Sequence, residues 1–239
     1  DTNALTIGRG GSDIGGVASD AVVSEEGIAV TVIYIDATQG WKVTNSGLQS
    51  EMPSPGYVAG CGGTETTAPC GNYKVHSFTG PGTFTVTCGG NAAGSNSVEW
   101  MAVAGGGGGA GGMRYDYPAP ASGGEPVSAS PGSYTVVVGG GGTVGAENNV
   151  GTDGSDSSAV GYTSAGGGKG GSGPGANPAT GADGGSGGGG GGSSTGGSGN
   201  TPSTTPSQGN NGGTGCGAAT SGRNAGGAGG GHGGVGQNA

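Results

Sequence analysis

Apolar residues are unevenly spread along the chain, and the boundary falls near residue 138. Before it Val and Ile gather into dense short runs; after it only scattered Ala and Val and a single Tyr remain. Ala4-Leu5-Thr6-Ile7, Ala21-Val22-Val23, Ile28 to Ile35 and Trp41-Lys42-Val43 are β-branched segments bounded by Gly, Asp and Glu, the pattern of short strands and turns. Glu25-Glu26 before Gly27 reads as a solvated corner between two of them. In Ile28–Ile35 the alternation fails, because Val30, Val32 and Tyr34 are apolar on one side and Ile33 and Ile35 on the other. Such a strand is expected to be covered on both faces, or buried between subunits. A module of this size is small for an independent core, so oligomerisation is the economical expectation.

Residues 45–71 hold Pro53, Pro55 and Pro69 among Gly, Ser and Thr and read as a loop or hinge. Beyond them, Tyr73–Phe78 and Thr83–Thr87 alternate around Thr79-Gly80-Pro81-Gly82 and predict a hairpin. Ser97–Val103 and Ser133–Val138 are expected to complete one small antiparallel sheet with it. Each of these last two strands runs straight into glycine, at 105–112 and 139–142. Further runs occupy 166–173, 184–192, 196–199, 212–217 and 226–236, separated by Ser, Thr, Asn, Asp and Pro.

Glycine makes up 69 of 239 residues, against about 7% in ordinary proteins, so a side-chain core is available only locally. By composition the tract is a flexible linker, because glycine loses the most backbone freedom on folding and buries no side chain. The ordered alternative is a bundle of extended left-handed helices with three residues per turn, whose N–H and C=O groups point sideways to neighbouring helices. Interior helices of such a bundle need glycine throughout, and outer ones tolerate other residues every third position. The pairs Ala110/Met113, Lys169/Ser172, Asp183/Ser186, Ala225/Ala228 and His232/Val235 have that spacing and are expected to face outward. No sustained Gly-X-Y register supports collagen. Asp153 and Asp156 do not recur as a calcium-binding repeat would require.

A net charge of −9 argues against nucleic acid, which demands clustered cations. No apolar run reaches the roughly 18 residues of a membrane-spanning helix. With no initiator Met and no secretion signal, Asp1 is expected to begin a fragment or a processed chain. Catalysis is not expected: His76 alternates with apolar neighbours, His232 lies among glycines, and no nucleophile with a base, metal cluster or cofactor motif is visible. The cysteines lack zinc spacing. Cys61 and Cys70 could close a short disulfide in an oxidising compartment, with Cys88 and Cys216 as a second pair, or all four could be free thiols.

For binding, Arg114, Tyr115, Asp116 and Tyr117 concentrate residue types found in hot spots at the mouth of the first glycine run, although the aromatics could equally pack on the sheet. Asn148, Asn149 and the stretch from Asn200 to Gln208 offer amides and hydroxyls suited to glycans, as ordinary surface loops also do.

The order of these parts carries a resemblance. Tyr73–Val86, a strand ending Met101-Ala102-Val103-Ala104 into glycine, Pro131–Gly139, Gly154–Ser158 and the later runs together resemble the glycine-rich domain of bacteriophage tail-fibre proteins, over about residues 72–239. The glycine runs look like those of T-even-type distal fibre adhesins, where they form a sandwich of polyglycine type II helices whose loops contact the host receptor. Residues 2–44, with Thr6–Ser12, Val30–Tyr34 and Gly40–Val43, are similar to small β modules of marine phage fibres. The chain departs from the adhesins in its extra β modules and in ending at Gly236-Gln237-Asn238-Ala239, where a mid-domain position is expected.

The expected fold is thus mainly β with little or no α-helix: an assembly module over 1–48, a hinge over 49–71, an antiparallel segment over 72–138 and a polyglycine-helix domain over 139–239. The resemblance implies a virion protein assembled in the host cytoplasm, a homotrimer joined to other tail-fibre or baseplate proteins, presenting loops to a protein or glycan receptor on a bacterium. A purely structural fibre spacer is the second expectation. An ice-binding or cell-surface glycine-rich protein is the third, since polyglycine bundles also occur in a springtail antifreeze family; the asymmetric β-rich start and polar spacers argue against a flat ice face.

Overall fold

The chain forms two units, Asp1–Pro55 and Gly56–Ala239. A computed structural model describes residues 4–24, 28–47, 56–91, 94–116, 124–129, 132–145, 150–173, 180–217 and 224–239. Glu25 and Glu26 lie outside them. Among the described residues every regular element is a β-strand and none is an α-helix.

Unit 1 holds β1 (Leu5–Ile7) paired with β2 (Ala21–Val23), and β3 (Ala29–Asp36) paired with β4 (Gly40–Gly47), both antiparallel. The turn joining the longer pair is fixed by Asp36, whose carboxylate accepts from the N–H groups of Thr38 and Gln39. Pairing places Val32 opposite Val43, Ile33 opposite Lys42 and Tyr34 opposite Trp41, whose rings meet edge-on at 5.4 Å.

Unit 2 begins with β5 (Val58–Cys61), β6 (Thr64–Thr67), β7 (Lys74–Ser77) and β8 (Gly82–Gly89). The expected loop over 49–71 therefore contains two strands, and the expected hairpin of Tyr73–Phe78 with Thr83–Thr87 does not form. Instead β7 pairs with β6, and β8 lies between β5 and the later β13 (Ser133–Val136). Phe78 gives the physical reason. Its ring sits 3.1 to 3.3 Å from the space that a side chain on Gly62, Gly63 or Gly82 would occupy, so it fills the junction between the strands. At Gly62 and Gly63 a Cβ would in addition strike the backbone carbonyls of Thr83 and Ser77, and both residues have positive φ.

The single sheet expected from Ser97–Val103 and Ser133–Val138 is also divided. The strand β9 (Ser97–Val98) pairs with β12 (Glu125–Pro126), and β10 (Met101–Val103) pairs with β11 (Met113–Tyr115). Three further pairs complete the unit's strands: β13 with β8, β14 (Ser157–Ala159) with β15 (Tyr162–Ser164), and β16 (Cys216–Gly217) with β17 (Asn224–Ala225). The buried apolar side chains are few and small: Val86, Ala102, Ala104, Val127, Val136 and Ala165. Ala102, Ala104, Val136 and Ala165 lie where strands run into glycine.

The glycine runs are packed structure. Residues 184–192 are buried throughout. Gly187 N–H donates to Asn210 C=O and Gly190 N–H to Gly213 C=O, a step of three along both segments. The same step recurs where Gly168 and Gly171 donate to the carbonyls of Ser186 and Gly189, and it reverses sense where Gly227 and Gly230 donate to Gly190 and Gly187. Gly197 and Asn200 likewise donate to Gly188 and Gly185. This three-residue repeat, with bonds leaving sideways to several neighbours, is that of polyglycine type II helices.

Close approach explains why residues 187–192 are all glycine. A Cβ on Gly188 or Gly191 would strike the carbonyl of Lys169 or Ser172; on Gly187 or Gly190, that of Gly197 or Ser194; on Gly189, that of Gly227. Every added methyl group would stand well inside 3.0 Å of rigid backbone, and the struck neighbour repeats every third residue.

Of the ten positions expected to face outward, Ala110, Asp183, Ala225, Ala228 and Val235 are exposed, and Met113, Lys169 and His232 are half-buried. Ser172 and Ser186 are corrections, both buried, with Ser186 fully so. A bend at 184–186 separates Asp183 from the central helix, so the phase of three does not carry across it. Polar side chains close the outer edges of the bundle instead. Asp153, Asp156 and Asp183 accept from the backbone N–H groups of Lys169, Gly166 and Ser198, and Asn211 and Asn238 accept from Gly199 and Thr214. The acids at 153 and 156 are thereby structural.

Candidate functional site

The face of β10–β11 follows from strand alternation. Met101, Val103, Met113 and Tyr115 point one way, and Ala102 and Arg114 the other. On the inner side Ser164 Oγ donates to Ala102 C=O at 2.9 Å, while Arg114 donates to Thr163 C=O at 3.2 Å. The Arg114 guanidinium also lies 5.1 Å from the centroid of the Tyr162 ring. Trp100 stacks on the same ring, with centroids 4.6 Å apart and planes inclined by 17°. The Trp100 indole N–H is buried without a hydrogen-bond partner.

Tyr162 is thus gripped by Trp100 and Arg114, and its hydroxyl donates to Glu125 Oε2 at 2.9 Å. That bond raises its pKa above the ordinary phenol range, with the Glu125 charge as the next cause. Asp116 N–H donates to Trp100 C=O at 2.9 Å. Arg114 and Asp116 consequently help to hold the strands together, which is the packing alternative for this segment. Tyr115 remains on the open face, 36% exposed beside Met101 at 65%. Its ring meets that of His232, from the last glycine run, at 6.0 Å and near right angles.

Asn200 and Gln208 do not present their side chains to solvent as binding groups. Asn200 adopts φ 52° at the start of a loop and accepts at Oδ1 from Thr204 N–H, Thr204 Oγ1 and Gln208 N–H, while its Nδ2 donates to Thr204 C=O. Gln208 is fully buried. Its Oε1 accepts from Ala165 N–H at 2.8 Å and its Nε2 donates to Pro202 C=O at 2.7 Å. The Gln208 carbonyl accepts from Met113 N–H at 2.9 Å and lies 3.5 Å from His232 Nδ1.

These bonds change what the loop shows. With both amides turned inward, Thr201, Pro202, Ser203, Thr205, Pro206 and Ser207 are exposed. The Gln208 carbonyl ties this loop to Met113 on β11 and lies near His232, whose ring in turn meets Tyr115. Tyr117, Asn148 and Asn149 lie outside the described residues. Sequence reasoning gave no role to Trp100 or Tyr162, and set His232 aside as a lone residue among glycines, because their contacts join segments far apart in the chain.

Of the two alternatives for the cysteines, the structure has the free thiols: Cys61, Cys70, Cys88 and Cys216 are all unbridged and exposed. Cys61 is instead a strand residue, paired with Thr85. Among the described residues no three His, Cys, Asp or Glu side chains come together as a metal site.

Compared with family models, with curated proteins and with solved structures, the chain matches none.

Proposed function

We propose that this chain is a segment of a bacteriophage tail fibre that recognises a bacterial surface receptor through loops carried on its polyglycine bundle, and that it is not an enzyme. The observation that carries the reading is the surface organised by Gln208. Buried Gln208, with its amide bonded to Ala165 and Pro202 and its carbonyl accepting from Met113 N–H, anchors the Thr-Pro-Ser-Thr-Thr-Pro-Ser loop to the strand that carries Tyr115. A rigid scaffold displaying polar loops is a common design for recognition. Hydroxyls next to an exposed tyrosine provide both hydrogen bonds and an aromatic face, the pair of contacts that suits a glycan or a polar protein loop. In this reading the chain belongs to the virion and works alongside other fibre or baseplate proteins as a homotrimer, where several weak contacts per fibre add by multivalency.

Labelled protein applied to a panel of bacterial strains provides the test. Saturable binding to at least one strain is expected. It should be lost when Tyr115→Ala is combined with replacement of residues 201–207 by Gly-Ser repeats. Binding to no strain, or binding that this variant retains, would remove the adhesin reading and leave a structural spacer.

A further inference from the structure

We infer that unit 2 carries a second binding site, a dish at the junction of β6, β7 and β8 that takes one uncharged pyranose ring, the terminal residue of a glycan. It is built from other strands than the Tyr115 surface and does not rest on the reading of that surface.

The cavity sets the size of the ligand. It holds about 260 Å³ and is lined by glycine and by Thr64, Ser77, Phe78, Thr79 and Thr83. Thr64 and Ser77 stand opposite each other at the end of the β6–β7 ladder, and residues 78–81 turn the chain from β7 into β8. Drug-sized ligands occupy roughly 300–1,000 Å³, so this space suits a smaller group.

The polar groups of the dish are unspent. Among the described residues the hydroxyls of Thr64, Ser77, Thr79 and Thr83 bond to no other group of the protein, and all four residues are exposed. Each hydroxyl can both donate and accept. Several of them around one small space match a ligand whose own rim is made of hydroxyls.

The Phe78 ring supplies the apolar half. It is half-buried and bordered by glycines: a Cβ on Gly63 would lie 3.1 Å from Cδ2 and Cε2, one on Gly82 3.1 Å from Cδ1 and Cε1, and one on Gly62 3.3 Å from Cζ. No side chain at these three positions crowds the ring, which leaves an aromatic surface within the same dish as the hydroxyls. The electron-rich face of such a ring attracts C–H groups. A pyranose offers both partners, an apolar C–H face and a hydroxyl rim.

Charge narrows the class further. No residue lining the dish is charged. On these strands Lys74 and Glu65 bond to each other at 2.6 Å, while His76 turns Nδ1 to the Gly62 carbonyl and its ring to Phe84. A carboxylate or phosphate on the sugar would be desolvated there without a counter-ion.

The test is a titration of the isotope-labelled full chain with the methyl glycosides of glucose, galactose, mannose and N-acetylglucosamine, read as amide shifts. At least one glycoside should shift Gly63, Thr64 and residues 77–83 saturably, with a dissociation constant on the order of 1 mM, as expected for a ligand of one ring. A disaccharide glycoside ending in the same ring should shift the same amides. The same ring with a carboxylate in place of its CH2OH should bind at least about tenfold more weakly. Ser77→Ala/Thr83→Val removes two hydroxyls that hold nothing in the protein, and should weaken binding at least about tenfold while the rest of the spectrum stays as in the parent. In case that variant misfolds, nuclear Overhauser contacts from the sugar C–H protons to the Phe78 ring of the parent chain are expected as an independent readout. Silence of these amides toward every neutral glycoside overturns the inference, as do exclusion of the disaccharide, equal binding of the carboxylate sugar, a variant that binds like the parent, or sugar contacts to Tyr115 alone. The last result would leave the receptor surface standing, whereas sugar binding in the dish by a chain that adheres to no strain would remove the adhesin reading alone.

Discussion

Ala165 and Gln208 stand 43 positions apart, and the Ala165 N–H donates to the buried Gln208 Oε1 at 2.8 Å. The bond joins the end of β15 to a loop that the polyglycine bundle would otherwise leave to itself. Truncating this side chain leaves the Ala165 N–H without its partner, and an unsatisfied buried donor costs about 1–3 kcal/mol. Gln208→Ala is therefore expected to lower the melting temperature by roughly 2–12 °C for a chain of this size. Loop 200–208 should exchange its amides faster. Gln208→Glu would turn a carboxylate oxygen onto the Pro202 carbonyl in a fully buried position, and at neutral pH should destabilise at least as much as Gln208→Ala.

Glycines of the bundle should divide sharply by position. Gly188→Ala drives a methyl group into the Lys169 carbonyl, a backbone atom that cannot rotate away. The cost should exceed the ~1–3 kcal/mol of ordinary overpacking. Gly233→Ala meets nothing within 4 Å and needs no left-handed backbone, so it should be neutral or stabilising by up to about 1 kcal/mol. Thermal melts of the two variants give the comparison; equal effects would mean the runs are not packed as described.

Two ionisable groups predict opposite pH responses. The hydrogen bond to Glu125 raises the Tyr162 pKa, so its contribution is present below the ordinary phenol range and disappears as pH climbs through the raised value. Glu65 is lowered by its hydrogen bond to Lys74, at 2.6 Å, and then by the charge of that lysine. Its contribution is present above the ordinary carboxylate value and disappears as pH falls through the lowered one. Glu65 is exposed and Tyr162 only half-buried, so the effects should be small. Tyr162→Phe should flatten the alkaline limb of the stability profile alone, and Glu65→Gln the acid limb alone.

Much of this architecture was legible in the sequence where a pattern had a period. β-branched runs located most strands of unit 1, and glycine runs of similar length located the bundle segments. Chain pairing was less legible because it depends on distant neighbours. Phe78 reads as a hairpin residue, yet its ring fills a space made by Gly62, Gly63 and Gly82, and this reroutes β7 to β6. The candidate surface was half legible. Tyr115 was found from its residue type and Gln208 from its loop, but the inward turn of Gln208 depends on Ala165 and Pro202. The grip of Trp100 and Arg114 on Tyr162 joins residues up to 62 positions apart and leaves no local trace.

Amide hydrogen exchange across residues 139–239 tests the central claim most directly. If the glycine runs are an interlocked bundle, the amides of Gly187, Gly188 and Gly190, whose N–H groups bond to Asn210, Ala182 and Gly213, should be among the slowest in the chain. Exchange there at the rate of an unstructured peptide would mean that the runs are linkers, and the scaffold for the proposed receptor surface would not exist.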